Sequence, residues 1–109
     1  MESIEQKLER LEFYQTLLLK MIGTGQYPFF RLIMEKQLSK QDIEQFYALC
    51  DRLSDELKEQ KADKFVFFYP LFQKFKDSLH EKLQPAEVIA ACLQQGLYPE
   101  LMKALKRNL

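Results

Sequence analysis

The sequence is poor in the residues on which most protein chemistry depends. It contains one histidine, two cysteines and three glycines, and its sixteen basic and sixteen acidic side chains cancel to a formal net charge of zero. A balanced charge removes any general attraction to nucleic acid or to an anionic membrane. A Cys-x-x-Cys pair, a glycine-rich phosphate loop and a His-Glu-x-x-His motif are all missing from the sequence. We therefore expect no catalytic, cofactor-binding or metal-binding residues and predict that the protein is not an enzyme.

Long apolar runs are also missing. The densest run, residues 65–72, is interrupted by Pro70, whereas a membrane-spanning helix needs about 20 apolar residues. The first dozen residues mix acidic and basic side chains and lack the apolar stretch of a secretory signal. These observations predict a cytoplasmic protein without a membrane partner.

What the chain does contain is apolar residues at helical spacing, which predict an all-α fold. With 109 residues, 47% of them hydrophobic, we expect a single domain over residues 1–109. It should be a compact bundle of five or six helices. The predicted helices cover residues 3–22, 28–36, 39–62, 70–83 and 85–96, and a short last helix starts near residue 98.

Local signals mark where these helices begin and end. Ser39 followed by Asp42 is a capping-box pattern, and Gly23, Gly25 and Gly96 are predicted to end helices. Residues 65–72 have the β-branched and aromatic content of a strand, but Pro70 in a first turn favours a loop that leads into a helix.

The first predicted helix carries a heptad-like seam. Counting Gln15, its apolar residues alternate four and three apart, which is typical of helices that pack against helices of other subunits. Phe13 and Leu17 project outside this stripe at about 100° per residue. With Gln15, the seam consists of Ile4, Leu8, Leu11, Leu18 and Ile22.

Aromatic residues exceed what a domain of this size shelters easily, since about two-thirds of the unfolded surface is buried. The chain has nine Phe and five Tyr. Four residues fall off the main stripes and are the candidate interface residues: Phe13, Leu17, Val66 and Phe67. Exposed together, they would form an apolar patch that gives a closed symmetric homo-oligomer or binds another protein. Alternatively, the short second and last helices could cover them.

Two other functions are weaker alternatives. Lys103, Lys106 and Arg107 near the C-terminus could contact nucleic acid, although cations at a helix C-terminus are also explained by the helix dipole. Cys50 or Cys92 could form a redox sensor, but both lie on apolar faces, where a thiol is buried and inert. His80 is expected on the surface of the predicted helix over residues 70–83.

Several segments resemble one small family. They are Arg-Leu-Glu-Phe-Tyr at 10–14, Tyr-Pro-Phe at 27–29, Cys-Asp-Arg-Leu-Ser at 50–54, Gln-Lys-Ala at 60–62 with Phe65, Glu-Lys-Leu at 81–83, Gln-Gly-Leu-Tyr at 95–98 and Glu-Leu-Met at 100–102. The chain resembles the YhaI-like family of uncharacterised proteins of bacilli, a domain of unknown function. The resemblance implies an all-helical fold and a bacterial cytosol, and it carries over no site residues. Where the family has an acidic helix cap, this chain has Gln84 before Pro85.

Overall fold

The computed structural model describes residues 1–22 and 25–109 and confirms the all-α fold, with helices and no strand in those two ranges. Gly23, one predicted end of the first helix, lies outside the described residues. The helices are α1 (Ile4–Ile22), α2 (Pro28–Glu35), α3 (Lys40–Ala62), α4 (Phe68–Ser78), α5 (Pro85–Gln95) and α6 (Pro99–Lys106).

Helix α3 begins with the predicted capping box. The Ser39 hydroxyl accepts a hydrogen bond from the Asp42 backbone N–H at 3.0 Å, and the Asp42 carboxylate accepts from the Ser39 N–H at 2.9 Å. At the end of α5, Gly96 adopts the left-handed conformation with φ of 78°, as predicted for a glycine that closes a helix. Gln84 precedes α5 without a capping hydrogen bond from its side chain.

Helices α2 to α6 enclose one hydrophobic core. The buried apolar side chains of the described chain run from Phe29 to Leu105. At the centre, the Phe29 and Phe46 rings stack with centroids 5.0 Å apart, and Phe75 meets Phe46 edge-on at 6.3 Å. Helix α2 packs on α5, α5 on α6, and α3 on both α4 and α6. The core is therefore complete within the second to the sixth helix.

Helix α4 ends earlier than predicted. It stops at Ser78 rather than Leu83, because Leu79 turns to an extended backbone with ψ of 144°. A tight turn follows, in which the Leu83 N–H donates to the His80 carbonyl at 2.9 Å, and Leu83 is still buried. The predicted end at Leu83 was wrong because Leu79 and Leu83 have helical spacing in the sequence, whereas in the structure a turn brings both side chains to the same core.

Helix α1 stands apart from this core. All of its residues are exposed except Arg10 and Leu19, which are half-exposed. The radius of gyration is 17.0 Å and the longest dimension is 63 Å, whereas a compact chain of this length has a radius of gyration of about 13 Å. The apolar stripe of α1 therefore remains without a partner inside the chain.

Candidate interaction surface

The α1 seam, defined as Ile4, Leu8, Leu11, Gln15, Leu18 and Ile22, is an exposed stripe along the whole helix. Its least exposed apolar member, Ile22, keeps 39% of its surface, and Ile4 at the other end keeps 79%. Gln15 in the middle is also exposed. A helix with an amphipathic stripe normally buries it against another element. Here the stripe is continuous and open.

A second apolar area lies on the other side of the same helix. Phe13 and Leu17, which we call the α1 flank, are 58% and 39% exposed. The Phe13 ring contacts the Tyr14 ring with centroids 6.1 Å apart. Both flank residues are candidate interface residues from the sequence, and neither lines the cleft between α1 and α2.

Helix α1 meets the rest of the chain at α2. Leu19 and Thr16 line a wide cleft opposite Ile33 and Met34. The Arg31 guanidinium on α2 donates to the Leu19 carbonyl at 2.9 Å. This contact is near the C-terminal end of α1, so the N-terminal part of the helix projects into solvent.

The apolar surface continues from α1 onto α2. Ile22, Tyr27, Phe30 and Met34 line an open groove of about 450 Å³. The Tyr27 and Phe30 rings stack with centroids 6.0 Å apart and planes within 4°, and both remain exposed. Neither residue is among the four predicted interface residues, although Tyr27 at the N-cap and Phe30 three residues later in α2 have the spacing of neighbours on one face.

The residues at the connection between α3 and α4 point to opposite sides. Phe65 and Phe67 are 70% and 57% exposed and stack with centroids 6.2 Å apart. Val66 is instead partly buried against the hydrophobic core, between two exposed phenylalanines. Val66 is therefore not part of an exposed patch. The four predicted interface residues also lie on two separate elements. Phe13 and Leu17 are on α1, whereas Val66 and Phe67 are on the connection between α3 and α4.

His80 is not the surface side chain of a helix that the sequence suggested. It follows α4, is half-buried, and places Nε2 at 3.8 Å from a carboxylate oxygen of Asp42. Its Nδ1 accepts a hydrogen bond from the Lys82 N–H at 3.0 Å, and Nε2 is the ring nitrogen that faces Asp42. The adjacent cavity of about 70 Å³ is small.

The two cysteines are fully buried, as predicted from their apolar faces. Burial raises the pKa of the Cys92 thiol to about 12, and burial, with Cys92 nearby, raises the pKa of Cys50 as well. Both thiols stay protonated at neutral pH and are poor nucleophiles.

The basic residues of α6 do not form a cluster of their own. Lys103 and Lys106 are exposed, but the Arg107 guanidinium lies over the Phe68 ring at 4.1 Å. Glu100 on the same helix lies 3.8 Å from the ammonium of Lys61. The surface is mixed in sign and lacks the basic stripe that favours nucleic acid.

In the two ranges that the structure describes, no three His, Cys, Asp or Glu side chains gather closely enough to hold a metal ion. Within the same ranges, no helix combines the length and the apolar character that crossing a membrane requires.

One protein family matches the chain over its full length. The model of a family described as a protein of unknown function, DUF1878, matches residues 1–109. The matched region contains all six helices, so α1 with its exposed seam lies inside it. The chain belongs to the DUF1878 family.

Proposed function

We propose that the protein is a non-enzymatic interaction protein of the cytoplasm that self-associates through α1 and binds a second protein. The observation that carries the proposal is the exposure of the whole apolar seam on a 19-residue helix. Most helical stability in proteins comes from packing of an amphipathic face. A second chain supplies that packing, since the core of this chain is complete without α1.

The seam offers a larger continuous surface for self-association than the predicted interface residues do. It runs from Ile4 to Ile22 and joins the groove at Tyr27 and Phe30. The α1 flank and the stacked pair of Phe65 and Phe67 are then available to the second protein. Exposed aromatic side chains are enriched in protein interfaces.

We also propose that the protein is a YhaI-like member of its family, from bacilli. The segments that carry the resemblance, from residues 10–14 to residues 100–102, support this assignment. A reducing bacterial cytoplasm also suits Cys50 and Cys92, which are free and buried.

The test is the mass of the protein in solution at micromolar concentration, by sedimentation equilibrium. The wild-type chain should sediment as a multiple of 13.0 kDa. Leu11→Glu combined with Leu18→Glu should sediment as a monomer, because two charges then face each other across the paired seams. A wild-type chain that stays monomeric would overturn the proposal.

The matched control adds the same two charges to α1 outside the seam. Gln6→Glu combined with Phe13→Glu should leave the mass unchanged, because both positions lie on the far side of the helix. All of these residues are exposed, so circular dichroism should show the same helix content and the same folded core in every variant. If the control variant dissociates as fully as the seam variant, the surface of self-association would be the α1 flank rather than the seam.

A further inference from the structure

We infer that α1 associates with the α1 of a second copy side by side and in the same direction, as a parallel coiled coil. This inference rests on the self-association proposed above and specifies its geometry. It is drawn from the heptad positions of the seam, from the charges that border it and from the groove at its C-terminal end.

The seam residues occupy the two core positions of the heptad. Positions a are Leu8, Gln15 and Ile22, and positions d are Ile4, Leu11 and Leu18. In a coiled coil these residues point at the facing helix, and the flanking positions e and g border the contact. Both borders of the seam are exposed in this structure except at Leu19, an e position that is half-exposed beside α2.

The charges on the two borders differ in sign. Glu5 and Glu12 occupy position e, whereas Lys7 occupies position g. In a parallel pair, a residue at g faces the e position that lies about five residues further along the other helix. Lys7 then faces Glu12 of the second copy, and the symmetry repeats this ion pair on the opposite side.

The antiparallel alternative brings like charges together. In that arrangement e faces e and g faces g, so that Glu12 meets Glu12 of the second copy when the two helices overlap fully. Like charges directly opposite one another destabilise the pair. The charge pattern therefore favours the parallel arrangement.

The structure leaves the required charges available. Arg10 already forms an ion pair with Glu2, in which Nε lies 2.8 Å from the carboxylate. In the described part of the chain, by contrast, neither Lys7 nor Glu12 has a partner for an ion pair, and both are exposed. Formation of the pair between copies breaks no ion pair within a copy.

Two further features favour the parallel pair: Gln15 in the middle of the seam, and the groove at Tyr27 and Phe30. A polar side chain at position a meets its own counterpart only in a parallel pair, where the two amides can hydrogen-bond and fix the register.

The 19 residues of α1 make fewer than three heptads, so a coiled coil of this length needs added contacts to be stable. A parallel pair brings Tyr27 and Phe30 of both copies to the same end, where they extend the apolar contact.

The test uses engineered cysteines and oxidation of the full chain at micromolar concentration. In a parallel pair Ile4 meets Ile4 of the second copy, so Ile4→Cys should cross-link to itself in at least half of the chains. In a fully overlapping antiparallel pair the two Ile4 positions are separated along the axis by about 27 Å, given 1.5 Å per residue. In that case Ile4→Cys should not cross-link, but it should cross-link when mixed with Ile22→Cys.

Gln6→Cys is the matched control. It lies two residues after Ile4, about half a turn around the helix and so on its far side, and should remain reduced under the same oxidation. The natural thiols are buried and should not interfere. Equal cross-linking of Gln6→Cys and Ile4→Cys would show random collision and would overturn the inference.

A charge exchange tests the same geometry without cysteines. Lys7→Glu alone should weaken association about fivefold, since two surface ion pairs of ~0.5 kcal/mol each are lost. Adding Glu12→Lys to the same chain should restore it. Failure of the double variant to recover would contradict the parallel register.

The outcomes separate the two proposals. A wild-type chain that is monomeric removes the self-association and this inference together. An oligomer that cross-links only in the mixture of Ile4→Cys and Ile22→Cys overturns the parallel arrangement and leaves the self-association intact. A cross-linked dimer or a cyclic trimer supports it, because both place the helices in the same direction.

Discussion

The guanidinium of Arg31 on α2 donates a hydrogen bond to the main-chain carbonyl of Leu19 on α1, at 2.9 Å. Leu19 lies in the last turn of its helix, where carbonyl groups have no donor within the helix. A cation is also favourable at this end of the helix dipole. The contact therefore fixes α1 by its C-terminal end and leaves the length of the helix open to another molecule.

Replacing Arg31 by leucine should loosen α1 without disturbing the core. The hydrogen bond to Leu19 is charge-assisted, so its loss should speed amide exchange in the last turns of α1 by roughly tenfold. Hydrogen exchange by mass spectrometry gives the measurement. Lys40→Leu, which removes an exposed cation from the first turn of α3, is the control and should leave α1 unchanged. Equal protection of α1 in Arg31→Leu and wild type would contradict this role.

Leu53→Asp and Phe67→Asp introduce the same charge at a buried and at an exposed position, so they should differ in their effect on stability. Leu53 is 1% exposed and Phe67 is 57% exposed. Leu53→Asp should lower the free energy of unfolding by roughly 3 to 5 kcal/mol, because it buries an unpaired charge, whereas Phe67→Asp should change it by less than about 0.5 kcal/mol. Urea unfolding at pH 7 measures both. A large loss from Phe67→Asp would show that this side chain belongs to the core.

The capping box of α3 should make stability depend on pH at the acidic end. Hydrogen bonding from the Ser39 backbone N–H holds the pKa of Asp42 below its ordinary value of 3.8. A carboxylate with a lowered pKa stabilises the fold above its ordinary pKa, and this contribution is lost as pH falls through the lowered value. Urea unfolding between pH 7 and pH 2 should therefore show a shallower acid loss in Asp42→Ala than in wild type.

Ser39→Ala is the informative comparison for that pH series. It removes the hydroxyl but keeps the backbone N–H, which has the largest effect on the pKa of Asp42. Stability should fall at pH 7 by about 1 kcal/mol, the usual value of a helix cap, and the acid dependence should remain close to wild type. A pH profile as shallow as that of Asp42→Ala would assign the effect to the hydroxyl instead.

The cysteines should react only when the protein unfolds. Burial raises the pKa of Cys92 to about 12 and raises that of Cys50 too, so at pH 7.5 the thiolate form is negligible. A mild alkylating reagent should label neither residue in native buffer and both in denaturant. Gln6→Cys, on the exposed face of α1, is the positive control. Rapid labelling of Cys50 or Cys92 in native protein would revive the redox-sensor alternative.

Local signals explain which helices the sequence predicts well. Ser39 and Asp42 specify the start of α3, and Gly96 specifies the end of α5, because each signal acts within one turn. The cap of α2 is different. Its first N–H groups, at Phe29 and Phe30, are bonded by the side chain of Gln95 at 2.8 and 3.2 Å, and a partner so distant in sequence leaves no local pattern.

Tertiary packing explains what the sequence does not predict. A stripe such as the α1 seam has the same spacing whether it faces the core of its own chain or a second chain, so periodicity does not reveal its exposure. The approach of His80 to Asp42 likewise depends on how the turn after α4 meets the start of α3. Val66 shows the reverse case, since irregular backbone at residues 65–67 turns it inward between two exposed phenylalanines.

The most direct test of the central claim compares the full chain with a chain that lacks residues 1–24, by sedimentation velocity and thermal unfolding. The core from Phe29 to Leu105 is complete without α1, so the shortened chain should unfold cooperatively and sediment as a monomer, while the full chain sediments as two or three copies. A shortened chain that still associates, or a full chain that sediments as a monomer, would contradict the claim that α1 is the surface of self-association.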